Sequence, residues 1–340
     1  MDDLIQNYSR ICSDAVELSK SIKIPTFSFD KIAICGVGGS GVVGDLIKDI
    51  LRDTAKIQIE IVKDYHLPKY IDNKTLVFCI SYSGNTEETL NQLVEARERG
   101  CNIVSVASGG KLKEWSGKLG LESVQVPGGM QPRDSLPFLL TSLLICFQNQ
   151  GIGNYANDIS EMQNAVNNVD KNFLDRLAMK IKTSDIAIYG SNEFSGVVRR
   201  FKNDFNENAK MLVKYDLFPE LNHNEINGYQ RGDLLRNSNV IFLRDREENE
   251  ETRVRFEITK GLLSDYVNDI YELWAVGNSK LAKVISFVFM SSYLIAKIAE
   301  LVGINRERVI LVEKLKDELK QKLNLVEKLE ERLFKPRQPF

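Results

Sequence analysis

The stretch Lys31-Ile32-Ala33-Ile34-Cys35-Gly36-Val37-Gly38-Gly39-Ser40-Gly41-Val42-Val43 decides the fold class. It opens as a short apolar run, the pattern of a buried β-strand. Glycines then crowd the next six positions, and Val42, Val43, Leu46, Ile47 and Ile50 follow at helical spacing. A strand that enters a helix through such a turn points backbone N–H groups into a concave bend, and the helix N-terminus adds partial positive charge. The combination favours an anion.

Working outward, residues 57–62 and 75–80 read as strands, 87–99 as a helix stopped by Gly100, and 102–107 as a further strand. Residues 137–148 form an apolar helix that closes this half. Strands alternating with helices of this length imply a parallel sheet with helices on both faces. The second half repeats the first. Ile186-Ala187-Ile188-Tyr189-Gly190 matches Ile32-Ala33-Ile34-Cys35-Gly36, and Ser195-Gly196-Val197-Val198 matches Ser40-Gly41-Val42-Val43. Both matches fall at the same strand–turn–helix junction, which implies internal duplication. The second copy has lost most of the turn glycines, so the halves are expected to share a fold but not a role.

The expected organisation is therefore α/β. Residues 1–150 form a first domain with the phosphate-binding turns, 151–184 a helical connection, 185–308 a second domain, and 309–340 a helical tail. In the second half, 194–210 and 279–301 read as helices, and segments near 240–243 and 270–276 as strands. The tail carries Val312, Leu315, Leu319, Leu323, Val326, Leu329 and Leu333, an amphipathic stripe at spacings of 3 and 4.

Composition narrows the function classes. A chain of 340 residues suggests two domains. Its net charge of −2 gives no general attraction to nucleic acid or anionic membrane. No run approaching about 20 apolar residues is expected to span a bilayer. The start, Met1-Asp2-Asp3-Leu4, lacks a signal-peptide pattern, so a cytoplasmic location is expected. The five cysteines show no metal or redox spacing and read as small buried hydrophobes, and two histidines exclude a histidine-rich metal site.

A second turn, Ser81-Tyr82-Ser83-Gly84-Asn85-Thr86, also joins a strand to a helix. In a parallel sheet both turns lie at the carboxyl edge, where ligands bind. Ser81, Ser83 and Thr86, with one glycine and a helix terminus, suit a compact tetrahedral monophosphate. The competing explanation is N-capping, which needs one hydroxyl rather than three. The turn 36–41 also fits the dinucleotide pattern G-x-G-x-x-G, with Asp64 placed for a ribose contact, so an NAD(P) site is an alternative. Ala107-Ser108-Gly109-Gly110-Lys111-Leu112 reads as a third loop near the same ligand or supporting the turns.

Chemistry-bearing residues follow. Arg133, in Gln131-Pro132-Arg133, is presented on a loop between strand and helix, where it can stabilise an oxyanion or be a surface arginine. Glu207 lies between Asn206 and Asn208, off the helical stripe of Val197, Val198, Phe201 and Phe205; the asparagines can orient its carboxylate, or it is a surface residue. His223 sits in the polar cluster Glu220–Glu225 and can move a proton either way near neutral pH. His66, with less polar company, reads as structural or surface.

The sequence resembles the archaeal-type bifunctional phosphoglucose/phosphomannose isomerases, of the phosphoglucose isomerase superfamily, which are built from two sugar-isomerase (SIS) domains. The resembling segments are Gly36–Asp45, Ser81–Thr89, Gln131–Arg133, Asn206–Lys210, Asn222–Glu225 and Val312–Lys316, in the family's order across almost the whole chain. The resemblance implies two SIS-type domains, each a parallel sheet flanked by helices, with a long C-terminal helix. It implies interconversion of glucose 6-phosphate, and of mannose 6-phosphate, with fructose 6-phosphate through a cis-enediol intermediate. Ser40, Ser81, Ser83 and Thr86 would hold the phosphate, and Gly38 and Gly39 would line the sugar. Glu207 would be the base and Arg133 the oxyanion partner. His223, given across a homodimer interface, and a tail lysine would open the ring. Lys316 fits the tail pattern best and Lys314 competes. No metal or redox cofactor is required by this chemistry. A non-catalytic sugar-phosphate sensor is the other alternative.

Overall fold

The computed structural model describes residues 2–231, 235 and 237–334. In chain order the elements are α1 (Asp2–Ser21), β1 (Lys31–Cys35), α2 (Gly38–Leu51), β2 (Gln58–Val62), β3 (Thr75–Ile80), α3 (Glu87–Glu98), β4 (Asn102–Ala107), α4 (Gly110–Leu119), β5 (Glu122–Gln125) and α5 (Leu136–Asn149). They continue with α6 (Ala156–Asn167), α7 (Lys171–Ile181), β6 (Asp185–Ser191), α8 (Ser195–Asp204), β7 (Lys214–Phe218), β8 (Ser238–Arg244), α9 (Glu250–Leu263), β9 (Asp269–Trp274), α10 (Lys280–Leu301), α11 (Ile310–Leu323) and α12 (Leu325–Phe334). Two compact units result. The first comprises Asp14–Tyr155 with the chain from Val309 onward; the second comprises the N-terminal segment to Ser13 with Ala156–Arg308.

Each unit is built on one all-parallel sheet. The first has the order β2-β1-β3-β4-β5 and the second β7-β6-β8-β9. β3 is buried along its whole length and β1 along all but its first residue, because helices cover both faces of their sheet. The two orders are the same as far as they run, which is what duplication of a strand–helix unit produces. In the first unit the chain leaves β1 toward β2 on one side and reaches β3 on the other. The turns after β1 and β3 therefore flank the point where the winding reverses, the place where parallel sheets bind ligands.

Sequence patterning located the buried strands and the edge strands β2 and β9, and missed the edge strands β5 and β7. β5 (Glu122-Ser123-Val124-Gln125) and β7 (Lys214-Tyr215-Asp216-Leu217-Phe218) each pair on one side only and carry polar residues, so no apolar run marks them. Helix α9 was missed because Val254, Ile258 and Leu262 face solvent while Phe256 and Leu263 face the core. The third loop of the sequence reading is the start of α4.

The expectation that no stretch has the length and composition of a membrane span is corrected by α10. This 22-residue helix meets that test, although Lys283, Ser286 and Ser291 interrupt its apolar run. It is the central helix of the second unit, packed on α6, α7 and α8, and Lys283 bonds Asp245 at 2.8 Å. Cys12, Cys35, Cys79 and Cys146 are buried and Cys101 is half-buried, all as free thiols. Burial pushes Cys12 and Cys146 up to about 12 and Cys101 up to about 11, so these thiols are poor nucleophiles.

The expected C-terminal helix is present as two, broken at Asn324, whose φ is +45°. Residues 335–340 of the expected tail lie outside the described residues. Helix α11 buries none of its side chains, whereas α12 packs on α3 and places Leu329 in the core around Leu90, Leu93 and Trp115. Lys111 and Glu330 add an ion pair at 3.1 Å. The two helices thus differ in energetic weight. Leu329, 2 % exposed, becomes a cavity in Leu329→Ala. That substitution should cost about 2–5 kcal/mol in urea unfolding. Leu311→Ala, at a site 82 % exposed, should stay within about 0.5 kcal/mol of the parent protein.

Candidate functional site

In the first unit three β–α turns and one loop pack against each other. Ser40, in the first turn of α2, is 7 % exposed, and its Oγ accepts the Tyr82 N–H at 3.1 Å. This joins the turn after β1 to the turn after β3. Gly39 faces the 131–133 loop, where a Cβ would stand 3.7 Å from the Arg133 nitrogen. The turn after β4 backs the turn after β3. Ser108 Oγ donates to the Tyr82 carbonyl at 2.7 Å, Leu112 N–H donates to the Gly84 carbonyl at 2.8 Å, and Lys111 N–H to Asn85 Oδ1 at 3.0 Å. The third loop is thus a support for the second turn.

Gly84 is the tightest point. Its φ is +70°, and a Cβ there would overlap the Gly109 carbonyl oxygen. Only glycine gives both the left-handed backbone and the space.

The hydroxyls do not act as helix caps. Thr86 is the N-cap residue of α3 but makes no side-chain cap bond, and the N-cap residue of α2 is Val37, which has no hydroxyl. Instead Thr86 Oγ1 and Ser81 Oγ bond each other at 2.8 Å. Ser81 Oγ also accepts the Gly84 N–H at 3.1 Å, and Ser83 Oγ accepts the Asn85 N–H at 3.3 Å. A hydroxyl carries one hydrogen and two lone pairs. Ser40 and Ser83 spend lone pairs on the protein and keep their hydrogens, while the Ser81–Thr86 pair uses one of its two. Part of the donor capacity counted in the sequence thus goes into building the turn. The hydrogens left over, beside the N-terminus of α2, suit an oxyanion.

Tyr82 is a residue the sequence reading missed. It is 5 % exposed, donates to the Pro127 carbonyl at 3.0 Å and accepts the Met130 N–H at 3.0 Å. It therefore ties the second turn to the loop that ends in Arg133. A tyrosine alternating with two serines just past a buried strand was the available signal. Arg133 is 7 % exposed, not a surface arginine, and its Nε lies 4.0 Å from Asp134 Oδ1. Asp64, the proposed ribose contact, turns Oδ1 onto the Tyr65 N–H at 2.6 Å. Lys314 and Lys316 are both exposed on α11, about 200° apart around the helix, so they face different directions.

The second unit holds Glu207 and His223. Glu207 is exposed on a π-helical turn, Phe205–Ala209, at the end of α8. Single π turns recur at functional positions because they displace one side chain from the helical register. The asparagines beside Glu207 brace the turn rather than its carboxylate: Asn206 Oδ1 accepts from Val213 N–H at 3.3 Å, and Asn208 Nδ2 donates to Asp204 Oδ1 at 3.3 Å. Asp204, 3 % exposed, also accepts from Arg200 at 2.8 Å and Ser291 at 2.6 Å. His223 closes a short 3-10 turn, Glu220–His223, and its side chain is exposed. His66 is an anchor, as expected: its Nδ1 is 2.6 Å from Glu95 Oε1.

The duplicated turns of the second unit have changed chemistry. After β6, Glu193 and Phe194 replace the glycines, and Lys280 pairs with Glu193 at 3.3 Å. The registers Cys35↔Cys79 and Tyr189↔Phe242 make Arg244 the counterpart of Ser81. Arg244 is 2 % exposed and bonded to Glu248, Glu257 and Glu272. Burial alone would pull its guanidinium down; the three carboxylates outweigh that and hold it charged. At this edge the guanidinium is thus paired with carboxylates of its own unit.

The chain is similar to known proteins. Residues 27–111 match the SIS domain family, and residues 170–319 match the bacterial phospho-glucose isomerase C-terminal SIS domain. The chain is 32 % identical over 334 residues to the bifunctional phosphoglucose/phosphomannose isomerase of Caldicellulosiruptor bescii, spanning 94 % of this chain and 98 % of that one. It is 35 % identical over 297 residues to the protein of the same name from Aquifex aeolicus, spanning 85 % and 90 %. The solved structure of glucosamine-6-phosphate deaminase from Thermotoga maritima matches with a TM-score of 0.68 over 90 % of this chain and 94 % of that one, at 14 % identity, a likeness of fold.

Because Gly84 allows two backbones to touch, Gly84→Ala should separate the second and third turns and misplace Ser81, Ser83 and Thr86. Losing even one charge-assisted hydrogen bond, about 1.5–3 kcal/mol, should weaken sugar-phosphate binding by more than about tenfold. Calorimetric titration reads this directly. Unchanged affinity would show that these turns do not hold the phosphate.

Proposed function

The chain belongs to the bifunctional phosphoglucose/phosphomannose isomerase family, and from that membership we infer that it is an enzyme that interconverts glucose 6-phosphate, and mannose 6-phosphate, with fructose 6-phosphate. The observation that carries the reading is the hydroxyl-lined bend at the winding reversal of the first unit, where Ser81 and Thr86 bond each other and Ser40, Ser81 and Ser83 each accept a backbone N–H of the second turn. Such a bend grips the phosphate, and Gly38 and Gly39 leave room for the sugar carbons beside it. The dinucleotide alternative is disfavoured by the isomerase relatives, which span most of the chain.

The chemistry needs few groups. The carboxylate of Glu207 removes the proton from C2, and the electron pair forms the C1–C2 double bond of a cis-enediolate. The same proton is delivered to C1 while the proton of the C2 hydroxyl passes to the C1 oxygen, leaving the carbonyl at C2. Arg133 balances the oxygen charge that develops between these steps. Glucose and mannose 6-phosphates differ only at C2, which becomes planar in the enediolate, so one intermediate serves both aldoses. Ring opening falls to His223, which protonates or deprotonates near neutral pH, with Lys316 of the tail.

His223 acts across a homodimer in this proposal. Two features support it: the ring is exposed, and the neighbouring face of α9 presents Val254, Ile258 and Leu262 to solvent. A cytoplasmic setting is proposed on the five free thiols.

Glu207→Gln should lower turnover of either aldose phosphate by about 10²- to 10⁴-fold, the range for loss of a positioned base. Binding of fructose 6-phosphate, held through its phosphate, should persist. Steady-state kinetics with calorimetry separates the two. Full turnover in this variant would remove Glu207 from the mechanism.

A further inference from the structure

The segment carrying His223 is fastened on both sides of the histidine. Before it, Leu221 is fully buried, and Asn222 is held by helix α9. Asn222 Nδ2 donates to Thr259 Oγ1 at 2.9 Å, and its Oδ1 accepts from Arg255 at 3.3 Å. After it, Asn224 donates to Glu220 at 2.8 Å and accepts the Glu225 N–H. Glu225 then reaches into the protein and accepts a short hydrogen bond from the Tyr189 phenol. Tyr189 stands in the middle of the central strand β6, with none of its surface exposed. Its oxygen is also 2.6 Å from that of Tyr229, in the next 3-10 turn, Glu225–Gln230. Lys214 of β7 closes the cluster from the solvent side, 3.4 Å from Glu225 and 4.5 Å from the centre of the Tyr229 ring.

The carboxylate is thus held by one buried phenol, Tyr189, which a second, Tyr229, backs in turn. Burial, then the neighbouring Tyr229 and Glu225, pushes the Tyr189 phenol far up, and burial does the same to Tyr229. Both therefore stay protonated as donors. Glu225 thereby connects the loop to the rigid centre of the sheet. Among the described residues nothing bonds to His223 itself. Its backbone is held and its ring is left to act outward.

We propose that Tyr189, Tyr229, Glu225 and Lys214 form a clamp that positions His223 for its work on the sugar ring. These are positioning residues, since none is assigned contact with substrate. The proposal rests on the reading of His223 as a ring-opening group. The shape of the loop alone does not require such a clamp, because Leu221, Asn222 and Asn224 already fix its course. The clamp instead removes the residual freedom of the turn immediately after the histidine, where an ångström of drift reaches the imidazole.

The test compares Tyr189→Phe, Glu225→Ala and Glu225→Gln with His223→Asn, alone and combined. The probes are fructose 6-phosphate and a five-carbon aldonate phosphate, an acyclic inhibitor with no ring to open. Tyr189→Phe and Glu225→Ala should lower kcat by about ten- to a hundredfold, the cost of a misplaced catalytic group, with KM and the inhibitor constant within about twofold. Glu225→Gln, which can still accept from Tyr189, should recover part of the loss. In the His223→Asn background, Tyr189→Phe should add nothing, because the clamp works only through the histidine. Losses that multiply with that of His223→Asn would reduce the cluster to a structural one and overturn the proposal. If His223→Asn is crippled while Tyr189→Phe and Glu225→Ala turn over normally, the clamp alone is wrong. If His223→Asn itself turns over normally, the ring-opening role fails and the clamp with it. Should Tyr189→Phe not fold, the Glu225 pair, whose side chain is 24 % exposed, gives the same answer.

Discussion

The contact of the Gly84 turn with the Gly109 backbone is the constraint on which the proposed phosphate site of the first unit depends. A phosphate monoester offers several acceptor oxygens within a few ångströms, so its donors must come from several strand ends at once. Side chains cannot stand between turns that have to approach so closely. Glycine at 84 lets the second turn lie on the third, and Ser40, Tyr82 and Ser108 then fasten the stack. The order β2-β1-β3-β4-β5 makes this possible, because it puts adjacent turns on either side of the winding reversal.

The second unit carries different chemistry on the same scaffold. Its equivalent edge is filled by its own ions. Arg244 occupies the place of Ser81, buried among Glu248, Glu257 and Glu272 and stacked over Phe256 and Trp274 at 4.7 and 4.6 Å. A buried guanidinium tolerates this position only because three carboxylates surround it. In the proposed reading the unit supplies catalytic groups instead, on elements the first unit lacks: a π-helical turn braced through Asp204, and a short polar loop bonded to its central strand.

Much of this was legible in the sequence, for physical reasons. Buried central strands such as Thr75–Ile80 are continuous apolar runs, and glycines or hydroxyls crowded at their ends mark ligand turns. The duplication showed in two tetrapeptides because strand–turn–helix junctions tolerate few residues. The edge strands Glu122–Gln125 and Lys214–Phe218 were not legible, since half of each faces water and periodicity fails. The bracing roles of Tyr82, Asp204 and Glu225 were not legible either. Each depends on partners distant in the chain: Tyr82 with Pro127, Asp204 with Ser291, Glu225 with Tyr189. Asn206 and Asn208 were assigned to the wrong task for the same reason, because their partners, Val213 and Asp204, appear only in the folded turn.

The account is tested most directly by a crystal structure with bound fructose 6-phosphate. It predicts one ester per chain, with its phosphate oxygens within hydrogen-bond distance of Ser40, Ser83 and Thr86 and of the first N–H groups of α2. A phosphate seated instead on the Arg244–Glu248 turn of the second unit, or an empty bend at Ser81–Thr86 at saturating ester, would contradict it.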